Sequence, residues 1–158
     1  DDSTVQPDHR ITEKDLSRIS WQQFEALCAE LFLKDFGATS CWLTQAGPDG
    51  GADIVLVTGG VLQLVQCKYT SGSKYGGYKA IQEVYGSGVI YSKELSKKVN
   101  KMIFATNANI LSAKAKKYAE QSNVQIMKHN EINDLLLSHH VTFEMVLKRL
   151  AKKRLKIG

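Results

Sequence analysis

The chain has 158 residues, of which 43% are apolar, 23% are charged and two are proline. This length and composition predict one ordinary globular domain and exclude both a disulfide-stapled mini-protein and a largely disordered chain. No run of about 18 apolar residues is present to span a bilayer, and the N-terminus does not read as a signal peptide, so we expect a cytoplasmic protein with no membrane attachment. The three cysteines contain no Cys-x-x-Cys pair and indicate neither a disulfide framework nor a zinc site.

The formal net charge of +5 comes from one end of the chain. The first 147 residues carry 15 basic and 16 acidic groups, and the last eleven positions carry six basic residues and no acid. These six residues are Lys148, Arg149, Lys152, Lys153, Arg154 and Lys156. The basic excess is therefore local, and taken alone it fits a solvated helix end as well as a nucleic-acid contact.

The first elements are a leader, a helix and three strands. Residues 1–17 are polar and are interpreted as a leader. Ser20 and Gln23 form a capping-box pattern, apolar residues then recur at helical spacing, and Gly37 supplies a stop, which predicts a helix over 20–36. Three extended segments follow at 39–45, 52–58 and 61–69, separated by glycine-rich turns, and predict an antiparallel meander.

The second half of the chain alternates helices and strands. A helical period that includes Ile81, Val84, Tyr85 and Val89 begins at Tyr78. The pattern continues with a strand at 102–106, a helix at 114–121, a strand at 124–127 and closing helices at 132–137 and 143–155. We therefore predict an α/β fold of order αβββαβαβ plus C-terminal helices, with a mixed sheet covered on both faces. The domain is expected over residues 18–138, followed by a basic C-terminal helix over 139–158.

The hairpin of the second and third strands carries a polar cluster. A turn centred on Gly59-Gly60 makes paired residue numbers sum to 119, so that Asp53 faces Gln66, and Lys68 projects to the same side. Both strands are apolar on their two faces, which indicates a central position in the sheet. An acid, an amide and a lysine at one end of a buried hairpin suit a divalent cation and a phosphate. The alternative is a partly exposed Asp–Lys pair at a strand end.

The first helix offers two further acids. At about 100° per residue, Glu25 falls at one edge of the apolar stripe and Glu30 points away from it. Only Glu25 is expected to reach a site on the sheet, and Glu30 is expected to be solvated.

Four segments resemble the Mrr-like restriction endonucleases of the PD-(D/E)xK nuclease superfamily. They are Phe24-Glu25 on the first helix, Gly47 to Asp53 entering a strand, Gln66-Cys67-Lys68 on the next strand, and Ile103 to Asn107 before a helix. The resemblance covers roughly residues 18–136. It implies a restriction-endonuclease-like three-layer α/β/α sandwich and Mg²⁺-dependent hydrolysis of DNA phosphodiester bonds, with Mn²⁺ as a substitute.

The resemblance also implies roles for individual residues. Asp53 and Gln66 would bind the metal with the backbone carbonyl of Cys67, Glu25 would complete the ligand set, and Lys68 would orient the attacking water or stabilise the transition state. Gln66 stands where the broad superfamily has Glu or Asp, as it does in the Mrr-like branch, and should weaken metal affinity. Asp49 lies in a glycine-rich turn and is considered only for an outer role.

The expected partner is double-stranded DNA, which could carry modified bases. The residues expected to contact it are Lys74, Lys79, Gln82, Lys152, Lys153 and Arg154. A homodimer is expected because two single-strand cuts make a double-strand break, and an NTPase or specificity domain could belong to a longer parent protein. A role in restriction or defence is favoured. Two alternatives stay open: a junction-resolving or repair nuclease on the same scaffold, and a catalytically inactive DNA-binding module.

Overall fold

The computed structural model describes residues 6–45 and 51–157. Within these ranges no helix is both long and apolar enough to cross a membrane. The helices are α1 (Trp21–Phe36), α2 (Lys79–Leu95), α3 (Ala113–Ser122), α4 (His129–Ser138) and α5 (Phe143–Ala151). The strands are β1 (Ser40–Leu43), β2 (Ile54–Thr58), β3 (Val61–Lys68), β4 (Lys74–Tyr75), β5 (Val99–Thr106), β6 (Ile110–Leu111) and β7 (Gln125–Met127).

The main sheet has the order β1-β2-β3-β5-β7 and is mixed. β1, β2 and β3 pair in antiparallel fashion, whereas β5 runs parallel to both β3 and β7. The pairs Ile54–Val65 and Thr58–Val61 confirm the predicted hairpin register. The tight turn forms because Gly59 and Gly60 adopt the left-handed backbone that it requires. The predicted meander and mixed sheet are confirmed, and β3 is the central strand.

Helices cover the sheet on both faces and give the predicted three-layer α/β/α arrangement. α1, α4 and α5 pack on the face that carries Ile54, Val65 and Cys67, and α2 and α3 pack on the face that carries Val55 and Leu64. Both strands of the hairpin are therefore apolar on two sides, as a central position demands. Only their ends can carry polar groups that contact solvent.

The helix starts follow local sequence signals. The Ser20 side chain accepts a hydrogen bond from the Gln23 backbone, the Gln23 side chain accepts one from Ser20, and Gly37 ends α1 at φ 61°. These are the predicted capping box and glycine stop. For α2 the predicted apolar face was partly wrong: Tyr85 and Val89 are exposed. Its buried residues are Ala80, Ile81, Val84, Ser87 and Tyr91.

The described part of the polar leader is packed onto the domain. Ile11 and Leu16 are buried in the core formed with α1, and Arg10 bridges to Thr142. The Tyr69 hydroxyl also donates to the Leu16 carbonyl at 2.5 Å. Residues 6–17 therefore contribute to the same core as the residues that follow.

The last helix is shorter than its periodicity predicts. α5 ends at Ala151 and not at Leu155, so the prediction of a basic helix to the end of the chain was wrong. The backbone of Leu155 instead donates to Leu43 and accepts from Gln45, each at 2.8 Å. These long-range sheet-type bonds replace the helical bonds that residues 152–155 would otherwise make.

The environment of Glu30 also differs from the prediction. Nine consecutive residues of α1, from Phe24 to Phe32, are buried, because α5 packs against the side of α1 that the sheet leaves free. Glu30 is 7% exposed, and its carboxylate accepts a hydrogen bond from Arg149 Nε at 2.5 Å. The expectation of a solvated Glu30 was wrong.

Candidate active site

A pocket of about 440 Å³ opens where β2 begins and β3 ends. α1 contributes to its wall from one layer and α2 from the other, so the pocket lies between the two helical layers at the end of the sheet. Its polar and aromatic lining includes Trp21, Glu25, Asp53, Gln66, Lys68, Tyr75, Lys79 and Glu83. The structure thus brings together Glu25, Asp53, Gln66 and Lys68, the four predicted catalytic side chains.

Asp53 stands immediately before β2 and closes the hairpin at its open end. Its backbone N–H donates to the Val65 carbonyl at 2.7 Å, and its carboxylate Oδ2 accepts from the Cys67 N–H at 2.8 Å. A side-chain oxygen thereby satisfies a strand N–H. The other carboxylate oxygen, Oδ1, is not used in this bond.

The carboxyl of Asp53 ionises less readily than an ordinary aspartate. Burial raises its pKa to about 6, and the nearby Glu83 carboxylate adds to this increase. The Cys67 N–H and the positive charges of Arg154 and Lys68 act in the opposite direction. A buried acid with an elevated pKa in a pocket is typical of functional sites, because desolvation has not been balanced by a full set of partners.

Gln66 lies on β3, opposite Asp53 in the continued hairpin register. Its side-chain oxygen Oε1 is buried and has no hydrogen-bond partner among the described residues. Burying an amide oxygen without a partner costs roughly 1–3 kcal/mol, so this atom gains from a cation or a donor supplied from outside the described residues. Cys67, the next residue, directs its side chain into the core on the opposite face.

Glu25 reaches the pocket from the first turns of α1. Burial raises its pKa to about 7, and repulsion by Asp53 contributes in the same direction. Arg154 Nη1 lies 3.8 Å from Glu25 Oε1 and lowers the pKa in part. Two neighbouring carboxyls with elevated pKa values form a site that gains from a positive ligand.

The predicted DNA-contacting residues are placed differently from one another. Lys79, at the start of α2, is exposed and lines the pocket. Lys74 on β4 and Gln82 on α2 are exposed, and neither is in the described lining. Arg154 is folded back onto Glu25 and the Thr44 carbonyl, so the expectation that it lies in a free helical tail was wrong.

Lys152 and Lys153 line a second, separate groove of about 390 Å³. This groove follows β1, the edge strand, and includes Trp42 and Arg149. Arg149 is buried and forms an ion pair with Glu30, whereas Lys152 and Lys153 are exposed. The basic C-terminal residues therefore have different environments: Arg149 forms a buried ion pair, Arg154 contacts Glu25, and Lys152 and Lys153 line this groove.

Some features of the site were not predicted. Trp21 is 54% exposed at the pocket, and the two-residue strand β4 pairs with β6 beside it. β4 and β6 are too short for an alternation of apolar and polar residues to be recognised in the sequence. Asn107 and the backbone of Thr70 exchange two hydrogen bonds of 2.8 Å, which fix the loop that follows Lys68. Asp49 lies outside the described residues.

The donor set fits a hard divalent cation. Within residues 6–45 and 51–157 no group of three or more His, Cys, Asp or Glu residues could hold a metal by itself. Of the three carboxylates in the described lining of the pocket, those of Glu25 and Asp53, together with the unpartnered Oε1 of Gln66, are oxygen ligands of the type that Mg²⁺ and Mn²⁺ prefer.

The layered fold and this pocket define the chain as a restriction-endonuclease-like α/β domain. Its solved structural relatives include the small subunit R.BspD6I2 of the heterodimeric restriction endonuclease R.BspD6I, with TM-score 0.52, 15% identity, and coverage of 88% of this chain and 86% of that one. A second is the protein of unknown function AF1548, with TM-score 0.56, 20% identity, and coverage of 75% and 66%. At these identities the likeness shows the fold.

The family assignment rests on the sequence. A profile of the restriction endonuclease family Mrr_cat matches residues 16–136, and the chain belongs to this family. The match confirms the resemblance expressed by the Phe-Glu, Gly-rich-Asp and Gln-x-Lys segments and supports a nuclease. No curated protein matches the chain.

Proposed function

We propose that the chain is a divalent-metal-dependent endodeoxyribonuclease that hydrolyses phosphodiester bonds of double-stranded DNA. Mg²⁺ is the proposed natural cofactor, and Mn²⁺ is expected to replace it. The observation that carries the proposal is the buried, unpartnered Oε1 of Gln66 beside the Asp53 carboxyl in an open pocket. The large majority of buried side-chain polar atoms have a hydrogen-bond partner, so an unpartnered oxygen in an open pocket supports a ligand site.

Asp53, Gln66, Glu25 and the Cys67 carbonyl are the proposed ligands. When bound, a divalent cation supplies Lewis acidity to a phosphoryl oxygen and neutralises charge that develops in the transition state. Asp53 contributes Oδ1, because Oδ2 is held by the Cys67 N–H. This division keeps one carboxylate oxygen fixed to the backbone and the other directed to the ligand.

Lys68 is the proposed partner of the reacting phosphate. It follows Cys67 at the end of β3 and lines the same pocket as the two carboxyls. Its ammonium group can hold a water by hydrogen bonding and can stabilise negative charge on the phosphate, which are the two contributions expected of a lysine in phosphoryl transfer. The Asn107–Thr70 bonds hold the backbone beyond it in place.

The DNA duplex is proposed to approach along the pocket opening. Lys79 is positioned for a phosphate near the reacting bond, and Lys74, Gln82, Lys152 and Lys153 are proposed to contact the backbone farther away. A homodimer and a role in restriction or defence are part of this proposal. The association of R.BspD6I2 with a partner subunit supports examining oligomeric state.

The test is cleavage of supercoiled plasmid, methylated and unmethylated, in the presence of Mg²⁺, Mn²⁺ or EDTA. Nicked or linear product is expected with metal and is expected to disappear with Asp53→Ala and with Lys68→Ala. Lys93→Ala is the matched control, because Lys93 is an exposed lysine in the last turn of α2, away from the pocket. Faster cleavage of the methylated plasmid would indicate that the preferred substrate is DNA with modified bases.

Two outcomes would contradict this function. If the wild-type protein retains DNA in a gel-shift but produces no cut with either metal, the inactive DNA-binding module is favoured. If branched or mismatched duplexes are cut and plasmid is not, the junction-resolving or repair nuclease is favoured.

A further inference from the structure

The C-terminal segment contacts the pocket residue Glu25 from outside the region that matches the family profile, which ends at residue 136. After α5, the backbone of Leu155 pairs with Leu43 and Gln45 through two bonds of 2.8 Å. Thr44 lies between these two residues, just after β1, and its backbone N–H donates to the Asp53 carbonyl at 3.0 Å. The segment is thereby tied through backbone bonds to the strand that carries Asp53.

Arg154 is the residue that this pairing directs toward the site. Its Nη1 donates to the Thr44 carbonyl at 2.9 Å and lies 3.8 Å from Glu25 Oε1. About two thirds of its side chain is buried. Arg154 is not in the described lining of the pocket, so it contacts the Glu25 carboxylate from the side of β1 and not from the pocket opening.

This contact places a permanent positive charge against one of the proposed metal ligands. Arginine stays protonated at any pH at which the protein is folded, so the charge is constant. In a partly buried site, like charges repel more strongly than they do in water. A divalent cation bound by Glu25 and Asp53 would therefore lie close to a positive charge that the hydrogen bond to Thr44 holds in place.

We propose that Arg154 is a positioning residue that holds the Glu25 carboxylate and lowers the affinity of the pocket for divalent cations. This inference rests on the proposed function, since it assumes that Glu25 and Asp53 bind the metal. The C-terminal segment then sets the metal concentration at which the domain becomes loaded. Without the segment, the same ligands would bind the cation more tightly.

The experiment is calorimetric titration of the full chain with Mn²⁺ in the absence of DNA. Arg154→Gln removes the charge and keeps a side-chain N–H that can donate to the Thr44 carbonyl. We expect this variant to bind Mn²⁺ about fivefold more tightly than the wild type, in line with a partly screened unit charge. Arg154→Lys, which keeps the charge, is expected to bind within about twofold of the wild type.

Lys156→Gln is the matched control, because it removes one positive charge from an exposed position two residues beyond Arg154 that has no proposed contact with DNA. It is expected to leave the Mn²⁺ affinity within about twofold. Arg154→Met offers a second uncharged variant that keeps the apolar stem and should also bind more tightly. A purely structural role for Arg154 predicts the opposite result, since loosening a site weakens its affinity for metal.

The outcomes separate the inference from the proposed function. If the wild type binds Mn²⁺ and both uncharged variants bind it equally or more weakly, the inference is overturned and the proposed function stands. If the wild type binds no Mn²⁺, both are overturned.

Discussion

Two glutamate–arginine ion pairs in the described structure connect α1 to the C-terminal part of the chain, and they have opposite properties. Glu30 and Arg149 meet at 2.5 Å, are almost fully buried, and are completed by a bond from Arg149 Nη1 to the Cys41 carbonyl at 2.7 Å. Glu25 and Arg154 lie 3.8 Å apart, and the arginine is 32% exposed. The residue types are the same, and the acids and arginines are each five positions apart.

The difference between the two pairs shows how one helix serves both the core and the pocket. In the Glu30 pair the arginine makes two buried hydrogen bonds, one to Glu30 and one to the Cys41 carbonyl, and the pair lies outside the described lining of the pocket. The Glu25 carboxyl is desolvated without full compensation, which raises its pKa to about 7. Incomplete pairing is the property that leaves a carboxylate ready for a metal, and it is obtained by geometry alone.

The largest effect should come from breaking the buried pair. Arg149→Ala leaves Glu30 buried without its partner, and we expect a loss of about 3–5 kcal/mol of unfolding free energy, measured by urea denaturation. The double variant Glu30→Leu/Arg149→Met removes both charges and should recover most of this loss. If Arg149→Ala loses less than about 1 kcal/mol of unfolding free energy, Glu30 is less buried than its 7% exposure indicates.

A second prediction concerns the pH dependence of the metal-free protein. The pKa of Asp53 is raised from 3.8 to about 6 in the folded state, so folding favours the protonated carboxyl. The contribution of the Asp53 carboxyl to stability should therefore be largest below pH 4, fall as the pH rises to about 6, and stay low above it. Asp53→Asn should remove this loss and be more stable than the wild type by about 2–3 kcal/mol at pH 8 in EDTA.

The groups that face Asp53 define the controls for this measurement. They are Glu83 and Glu25, Lys68 and Arg154, and the N–H of Cys67. The Asn side chain can still accept from that N–H, so the comparison isolates the charge. Asp134→Asn, at an exposed position of α4, should give the wild-type pH profile. A wild type that becomes more stable from pH 4 to pH 6, relative to Asp53→Asn, would contradict the elevated pKa.

The smallest effect should come from the exposed pair. Arg154→Gln is expected to change the unfolding free energy by less than about 1 kcal/mol, because a partly exposed pair is screened by solvent. The cost should be present above pH 7 and vanish near pH 5, where Glu25, with its pKa of about 7, is protonated. Urea denaturation at the two pH values measures this difference, and a loss comparable with that of Arg149→Ala would erase the contrast between the pairs.

Local signals made much of the fold predictable. Ser20, Gln23 and Gly37 define α1 through backbone hydrogen bonds that depend only on nearby residues. Gly59 and Gly60 determine the hairpin register, and this register brings Asp53 and Gln66 face to face before any tertiary contact is considered. The grouping of the acid, the amide and the lysine was predictable because it follows from strand geometry.

Long-range contacts account for what the sequence could not indicate. Glu30 was assigned to solvent because the helical wheel assumed that only the sheet covers α1, whereas α5 covers another side. Leu155 lies beyond the end of α5 because its backbone bonds to a strand more than 100 residues earlier. The placement of Arg154 beside Glu25 depends on that pairing, and no local pattern encodes it.

β3 has a consequence for which parts of the pocket can adjust. It is hydrogen-bonded to β2 on one edge and to β5 on the other, and its pairing with β5 extends through Gln66 and Lys68, so opening of this strand requires disruption of the central sheet. The opposite wall is formed by the first turns of α1. It is supported by the C-terminal segment, which pairs with the end of the edge strand at the Thr44–Leu155 bridge. The wall formed by β3 should therefore be more rigid than the wall formed by α1, and amide hydrogen exchange should be slowest in β3.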